Sequence, residues 1–321
     1  VNRKTGFPAT AEHRQHRQQH LRTVASALNW TTLADLDRGQ LEKWLFARDA
    51  AGVSARTRNT YAMSWTAFGN WCVDTHRLVA NPFARLAKAN EKADCRRKRR
   101  ALSAPELMRL LDAASRRPLA ELGRPTMQLD PAQGQPRKRS NWTYEPVTAE
   151  NLAECEQRAG VRLEGKPEAV RSAEAAGRLR ALFYKALVLT GLRLNELRSL
   201  TVGQTVLDGL EPYATLNAAD EKARRGAEIP LRADLAADLS RHLAERLIAA
   251  QRAAIRENRP VPTRLAPDEP LLLIAGDALR VLDRDLQAAG LARRVAHQNR
   301  KGMPTWRVDK CDERGRTFDL H

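Results

Sequence analysis

The chain has 321 residues, enough for about two domains of ~150 residues. Its formal net charge is +17, and 42 % of its residues are hydrophobic, which excludes a disordered basic tail. No aliphatic run approaches the ~20 residues that cross a bilayer, so we expect no membrane partner. The four scattered cysteines form no CxxC pair, which indicates a reduced, cytoplasmic protein rather than a disulfide scaffold.

The excess positive charge is concentrated near the N-terminus. Residues 1–100 contain 19 Lys and Arg against 8 Asp and Glu, whereas residues 101–321 contain 36 against 30. A surplus of this size attracts a polyanion, and nucleic acid is the commonest one. Solubility alone or an acidic protein partner would also explain the charge, so charge by itself does not decide the function.

Residues 1–19 are polar and basic, and we expect them to form a flexible tail. His13, His16 and His20 recur at helical spacing. They lack a fourth ligand nearby, whereas zinc sites in proteins are closed and tetrahedral. The pattern therefore favours a helix that faces solvent or phosphate, and we predict no metal site.

Residues 20–95 predict a small, basic bundle of helices. Ser54 is a plausible N-cap, and one apolar stripe follows it at helical spacing. The stripe consists of Tyr61, Trp65, Phe68 and Cys72. Aromatic residues at this spacing are typical of a core.

Residues 96–102 predict a basic linker that contains five consecutive basic residues. It precedes a helix that begins with Ser103 as N-cap and Glu106 at the capping-box position. On a DNA-binding protein such a linker would lie against phosphates, although a solvated linker explains it equally well.

Residues 103–321 predict a second domain, interrupted by a loop-rich insertion at about 117–177. Six prolines in the insertion leave room for at most one short helix, near 149–158. From residue 178 an apolar helix runs to Gly191, and extended segments near 212–217 and 227–231 predict a β-hairpin. A long helix follows, then PLLLI (270–274) as a buried strand or a helix start, and a helix between Asp277 and Gly290. The predicted fold is therefore mainly α with a small β element.

The sequence LTGLRLNELRSL (189–200) stands out as a candidate for chemistry. Arg193 directly follows a helix that ends at a glycine, and Glu196 lies three residues further on. A guanidinium held by a carboxylate is preorganised to bind two phosphate oxygens. For an arbitrary Arg–Glu pair, a surface helix pair worth a few tenths of a kcal/mol would be the better interpretation.

This string resembles the first signature box of the tyrosine recombinase (phage integrase) family, in which an aliphatic helix precedes T-G-L-R, two variable residues, E-L, two more residues and L. The order of the other segments is also similar to that family. The resemblance implies an N-terminal SAM-like core-binding bundle and a mainly helical catalytic domain. It also implies double-stranded DNA and other recombinase protomers as partners, a tetrameric synapse in the full-length protein, a location on the nucleoid, and no cofactor.

The resemblance also assigns roles to residues. Arg193 would bind the scissile phosphate and Glu196 would orient it. Lys222, in ADEKARRGAEIPL, matches the family's general acid on a β-hairpin. His321, in GRTFDLH, would be the first histidine of the second box. The expected DNA-binding residues are Arg56, Arg58, Arg96, Arg97, Lys98, Arg99, Arg100 and Arg224.

The sequence departs from the family after His321. The second arginine and the tyrosine nucleophile have no counterpart, because Tyr144, Tyr184 and Tyr213 come too early in the chain. We therefore expect a C-terminally truncated recombinase with an incomplete catalytic domain, inactive by itself. The alternative is a non-catalytic basic DNA-binding protein, such as an architectural factor or a repressor. An RNA-binding protein would explain the charge but not the 189–200 string.

Overall fold

The computed structural model describes residues 11–96, 98–128, 142–221, 225–274, 276–299 and 302–318. About 53 % of the described residues are helical and the sheets are small, which confirms the predicted mainly-α fold. None of the helices in these ranges is long and apolar enough to cross a membrane.

The chain divides into two compact units, Val1–Lys98 and Arg99–His321. The division falls within the basic stretch 96–102. The assignment of the units as DNA-binding and catalytic domains stays a prediction.

The first unit contains three helices, α1 (Ala11–Leu28), α2 (Arg38–Ala50) and α3 (Ala55–Asp74). Since α1 begins at Ala11, the prediction of a flexible tail is wrong for residues 11–19. Ser54 caps α3 as predicted, by accepting the Thr57 N–H. The core is aromatic, with the rings of Trp30, Trp65 and Phe83 5.0–5.9 Å apart.

The second unit contains six helices in the described ranges. They are α4 (Ala104–Ala120), α5 (Leu152–Arg162), α6 (Pro167–Thr190), α7 (Leu194–Ser199), α8 (Ala233–Arg256) and α9 (Ala278–Ala288). Leucines from α4 and from α6 to α9 share one core cluster. Gly177 of α6 lies against α4 so closely that a Cβ there would be 1.9 Å from the Ser115 carbonyl oxygen. The absence of a side chain at residue 177 therefore sets the contact between α4 and α6.

Short strands complete the second unit. They are β1 (Lys98–Arg100), β2 (Thr126–Gln128), β3 (Trp142–Tyr144), β4 (Thr205–Val206), β5 (Tyr213–Leu216), β6 (Ala227–Pro230), β7 (Arg293–Gln298), β8 (Pro304–Asp309) and β9 (Arg316–Phe318). β4, β5 and β6 form a three-stranded antiparallel sheet, in which Tyr213 pairs with Pro230. β2 pairs with β3, β7 pairs with β8, and β1, whose Arg99 and Arg100 belong to this unit, pairs with β9.

The prediction of a loop-rich insertion at 117–177 is largely wrong in the part that the structure describes. α5 corresponds to the short helix expected there, but α4 continues through Pro118 to Ala120 and α6 already begins at Pro167. Proline is favoured in the first turn of a helix, where its missing N–H has no intrahelical partner. Pro118 is tolerated because the last turn of α4 is packed, with Ala120 fully buried.

The long helix from 233 and the helix after Asp277 are confirmed as α8 and α9. PLLLI is neither a strand nor a helix start. Leu271 and Leu272 are buried in an irregular segment, and the Leu271 N–H donates to the Leu200 carbonyl oxygen. The β7–β8 hairpin is an element that the sequence analysis did not predict.

Candidate active site

The candidate site lies where α6 ends and α7 begins. α6 ends at Thr190 and is followed by Gly191, whose φ of 68° is left-handed, a conformation that glycine adopts without strain. Leu192, Leu197 and Leu200 are buried in the core and fix the short helix α7 in place. Arg193 is the N-cap of α7, so its position is set by packed residues on both sides.

Glu196 holds Arg193 in two ways. One carboxylate oxygen accepts the Arg193 backbone N–H at 2.9 Å, and the other accepts Nη1 of its guanidinium at 2.7 Å. The Glu196 side chain is 7 % exposed, whereas the Arg193 side chain is 55 % exposed. A buried carboxylate thus orients a guanidinium that is half in solvent, and the nitrogens that face solvent can donate to an anion.

Lys222 and Arg224 lie outside the described residues, as does His321, so their predicted roles stay predictions. The flanks of the predicted lysine turn are defined. The β5–β6 hairpin is confirmed at Tyr213–Leu216 and Ala227–Pro230. At the base of its turn, the Glu221 carboxylate accepts the backbone N–H groups of Arg225 and Gly226 at 2.9 Å.

Tyr184, one of the tyrosines weighed as a nucleophile, is part of a buried polar cluster. Its hydroxyl donates to Asp285 at 2.6 Å, and Asp285 also accepts from Nε of Arg117 at 2.5 Å and from Arg180 at 3.3 Å. Burial and the Asp285 charge raise the pKa of Tyr184 far above its ordinary value. A tyrosine held in this way is not available to attack a phosphate. The sequence analysis did not find this cluster, because its members lie far apart along the chain.

The predicted DNA-binding arginines fall into different environments. Arg56, Arg96, Lys98 and Arg99 are exposed. Arg58 is 3 % exposed; it pairs with Asp49 at 2.9 Å and donates to the Ala87 carbonyl oxygen at 3.1 Å. Its prediction as a DNA contact is wrong, because the fold buries and neutralises it. Arg97 lies outside the described residues.

Arg100 is also engaged within the protein. It makes two hydrogen bonds to the Glu106 carboxylate, at 2.6 and 2.8 Å, and pairs with Asp312 at 3.2 Å. Its guanidinium carbon lies 3.8 Å from the centre of the Phe318 ring. Its side chain is only 16 % exposed. Arg100 therefore holds the segment that leads into α4 and, contrary to the prediction, is not free to contact DNA.

The Arg100–Glu106 pair predicts a pH dependence of stability. Hydrogen bonds from Arg100, aided by the Ser103 N–H and hydroxyl, lower the pKa of Glu106 to about 2. A carboxyl group whose pKa is lowered on folding stabilises the protein above its unfolded pKa of about 4.3, and this stabilisation is lost as the pH falls towards 2. We expect Glu106→Gln to lower the free energy of unfolding by about 1.5–3 kcal/mol at pH 7.

Urea unfolding at pH 7, 4 and 2.5 checks this expectation. The difference between wild type and Glu106→Gln should narrow as the pH falls. A difference that stays constant across this range would show that the carboxylate charge is not what stabilises the pair.

His13, His16 and His20 lie on α1. Nδ1 of His20 is 3.2 Å from the Ser64 hydroxyl, and its ring packs edge-on against Tyr61. Nowhere in the described part of the chain do three His, Cys, Asp or Glu residues form a group that could hold a metal ion.

Comparison with known proteins gives no family assignment. No protein-family model matches the chain, and no curated protein matches it. Among solved structures, it is similar to the crystal structure of a XerA recombinase, with a TM-score of 0.30 and 12 % sequence identity. That similarity covers 89 % of this chain and 74 % of the other. A likeness at this level does not assign the chain to a family.

Proposed function

We propose that this chain is a tyrosine-recombinase-type protein that binds duplex DNA and takes part in site-specific strand cleavage and rejoining. The observation that carries the proposal is Arg193, a half-exposed guanidinium oriented by the buried Glu196 carboxylate within the string LTGLRLNEL. An ordinary surface helix pair would leave both side chains exposed. Here the acid is nearly buried and also caps α7, which favours a preorganised anion-binding arginine.

The chemistry follows from the negative charge that the phosphate oxygens carry as the phosphorus becomes five-coordinate. In this chemistry a tyrosine hydroxyl gives up its proton to a base, and its oxygen attacks the phosphodiester to form a 3′-phosphotyrosyl bond while the bond from phosphorus to the 5′-oxygen breaks. Tyr144, Tyr184 and Tyr213 come too early in the sequence for this role, so the proposal assigns the nucleophile to none of them. Arg193 stabilises the negative charge on the non-bridging oxygens, and Lys222 gives a proton to the leaving 5′-oxygen. One phosphoester is exchanged for another, so rejoining is the reverse of the same step and consumes no ATP.

The other residues have supporting parts in this proposal. Glu196 is a positioning residue, because it acts through Arg193. His321 would assist at the same phosphate. Arg56, Arg96, Lys98 and Arg99, which are exposed, would contact DNA phosphates, and further protomers would join on the DNA to assemble a synapse. Such a protein would work on DNA in the nucleoid.

A transition-state analogue tests the role of Arg193. Orthovanadate bound at a nick between a 3′- and a 5′-hydroxyl imitates the five-coordinate phosphorus. We expect vanadate to tighten binding of the full chain to nicked duplex by at least about 10²-fold. Arg193→Lys should lose this gain, because an ammonium group cannot reproduce the planar fork, while affinity for intact duplex is retained.

Arg241→Lys is the matched control, since Arg241 also pairs with an acid three residues away, Asp238 on α8, and is 70 % exposed. It should keep the full vanadate effect. If vanadate tightens binding of wild type and Arg193→Lys equally, Arg193 is not the phosphate ligand. Binding of intact duplex with no vanadate effect in wild type would favour the non-catalytic DNA-binding alternative.

A further inference from the structure

The β7–β8 hairpin is an exposed two-stranded ribbon. Six residues on each strand pair in antiparallel register, from Arg293 with Asp309 to Gln298 with Pro304. A strand of this length extends about 20 Å. An isolated two-stranded hairpin is only marginally stable in water, so a partner that packs along the ribbon would stabilise it.

The exposed side chains of the ribbon are mostly basic. Alternation along a strand, together with cross-strand pairing, places Arg293, His297 and Arg307 on one face. All three are exposed, and the Arg293 side chain is 79 % exposed. The backbones of His297 and Arg307 belong to the paired strands, but their side chains make no hydrogen bond or ion pair with another described residue. The acid on this face is Asp309, at the base of the ribbon and 3.5 Å from Arg293.

The opposite face holds a third arginine, Arg294. The guanidinium carbon of Arg294 lies 5.2 Å from the centre of the Trp306 ring. Stacking on an indole limits the orientations of a long side chain without neutralising its charge. The ribbon thus offers positive charge on both faces.

The base of the ribbon is fixed to the rest of the second unit. β7 follows directly after Leu291 and Ala292, which pack against the core. At the end of β8, Lys310 pairs with Asp283 of α9 at 2.6 Å. The ribbon is therefore anchored to the second unit at its base, and side chains along its strands are exposed to solvent. A partner would meet a surface whose orientation relative to the second unit is fixed.

We propose that the β7–β8 ribbon is a second DNA-contacting element, one that lies in the major groove. Two strands lie about 4.8 Å apart, and with their side chains they suit a groove about 12 Å wide but not the minor groove of about 6 Å. Arg293 and Arg307 contact the phosphates that border that groove, as most arginine and lysine contacts that position a protein on DNA do. This inference rests on the proposed function only in taking duplex DNA as the partner.

The test compares binding of the full chain to one mixed-sequence 40-base-pair duplex over a range of salt concentrations. The double variant Arg293→Ala/Arg307→Ala should reduce the slope of log K against log salt by about two, one for each lost phosphate contact. Methyl green, which occupies the major groove, should weaken binding of wild type more than binding of this variant. Netropsin, which occupies the minor groove, should affect both equally.

Arg241→Ala/Arg256→Ala removes two exposed charges from α8 and serves as the matched control. An unchanged slope in the ribbon variant, or a larger effect of netropsin than of methyl green on wild type, would overturn the inference. Duplex RNA of the same sequence is a second control, because its deep, narrow major groove excludes a ribbon. An equal loss of RNA and DNA binding in the ribbon variant would also overturn it.

The outcomes separate this inference from the proposed function. If wild type binds duplex DNA and the ribbon variant behaves like the α8 control, the ribbon inference falls and the proposed function is unaffected. If the slope falls as expected but vanadate has no effect, the ribbon inference stands and the proposed cleavage chemistry falls. If wild type does not bind duplex DNA, both are wrong.

Discussion

Binding of duplex DNA by this chain is expected to weaken about 10³–10⁵-fold between 50 and 200 mM salt, as it does for proteins that make ~6–10 phosphate contacts. The net charge of +17 and the exposed Arg56, Arg96, Lys98 and Arg99 are the basis of this expectation. Cations that bind phosphates release counterions, and this release is opposed as salt rises. A fluorescence anisotropy titration at four salt concentrations measures the slope.

Single variants refine this result. Lys98→Ala and Arg99→Ala should each lower the slope by about one, whereas Arg58→Ala should leave the slope unchanged and lower stability instead, because Arg58 is buried. A titration without any salt dependence would refute electrostatic binding to DNA. An equal effect of Arg58→Ala and Lys98→Ala on the slope would contradict the assignment of Arg58 as a structural residue.

Asp285→Ala is expected to lower the free energy of unfolding by about 3–5 kcal/mol, the usual effect of removing one partner of a buried ion pair. Asp285 is fully buried and Arg117 is 1 % exposed, so the variant would leave a guanidinium in the interior with Glu121 as its one acidic partner among the described residues. The Tyr184 hydroxyl would also lose its acceptor. For a unit of about this size, the change corresponds to a fall in Tm of roughly 6–20 °C.

Urea unfolding of wild type, Asp285→Ala and Tyr184→Phe measures the effect. Tyr184→Phe removes one hydrogen bond and should lower stability by only about 1–1.5 kcal/mol. Glu168→Ala is the control, because Glu168 pairs with Arg171 on the surface and should change stability by less than about 1 kcal/mol. A loss below 1 kcal/mol for Asp285→Ala would show that the cluster does not stabilise the second unit.

The sequence was sufficient to predict elements whose signals are local. α3 and α9 each begin at a residue with a recognisable cap signal, and α3 carries an apolar stripe at helical spacing, so their bounds were close to those predicted. The Arg193–Glu196 pair is local as well, because both residues belong to one turn of helix. The burial of the Glu196 carboxylate was not predictable, since it depends on the leucines that pack α7 against the core.

The errors arise where distant residues decide the structure. Arg58 and Arg100 were chosen for their charge, but Asp49, Asp312 and Phe318 neutralise or cover them, and only the fold brings these groups together. The prolines in 117–177 were taken as signs of a loop, yet Pro167 is at the first position of a helix. The second strand of the β7–β8 ribbon could have been predicted, because apolar and polar residues alternate in PTWRVD (304–309).

The close contact at Gly177 has a consequence for Arg193. Gly177 and the end of α6 at Thr190 are separated by about 20 Å along the helix axis, at 1.5 Å per residue. A side chain at residue 177 would push α6 away from α4, and the helix would then tilt about this contact as its pivot and shift the end that precedes Arg193. A tilt of about 5° at the pivot would move that end by about 2 Å, and misplacement by 1 Å can reduce a reaction rate about 10²-fold. The position of Arg193 is thus set in part by Gly177, a residue that does not contact it.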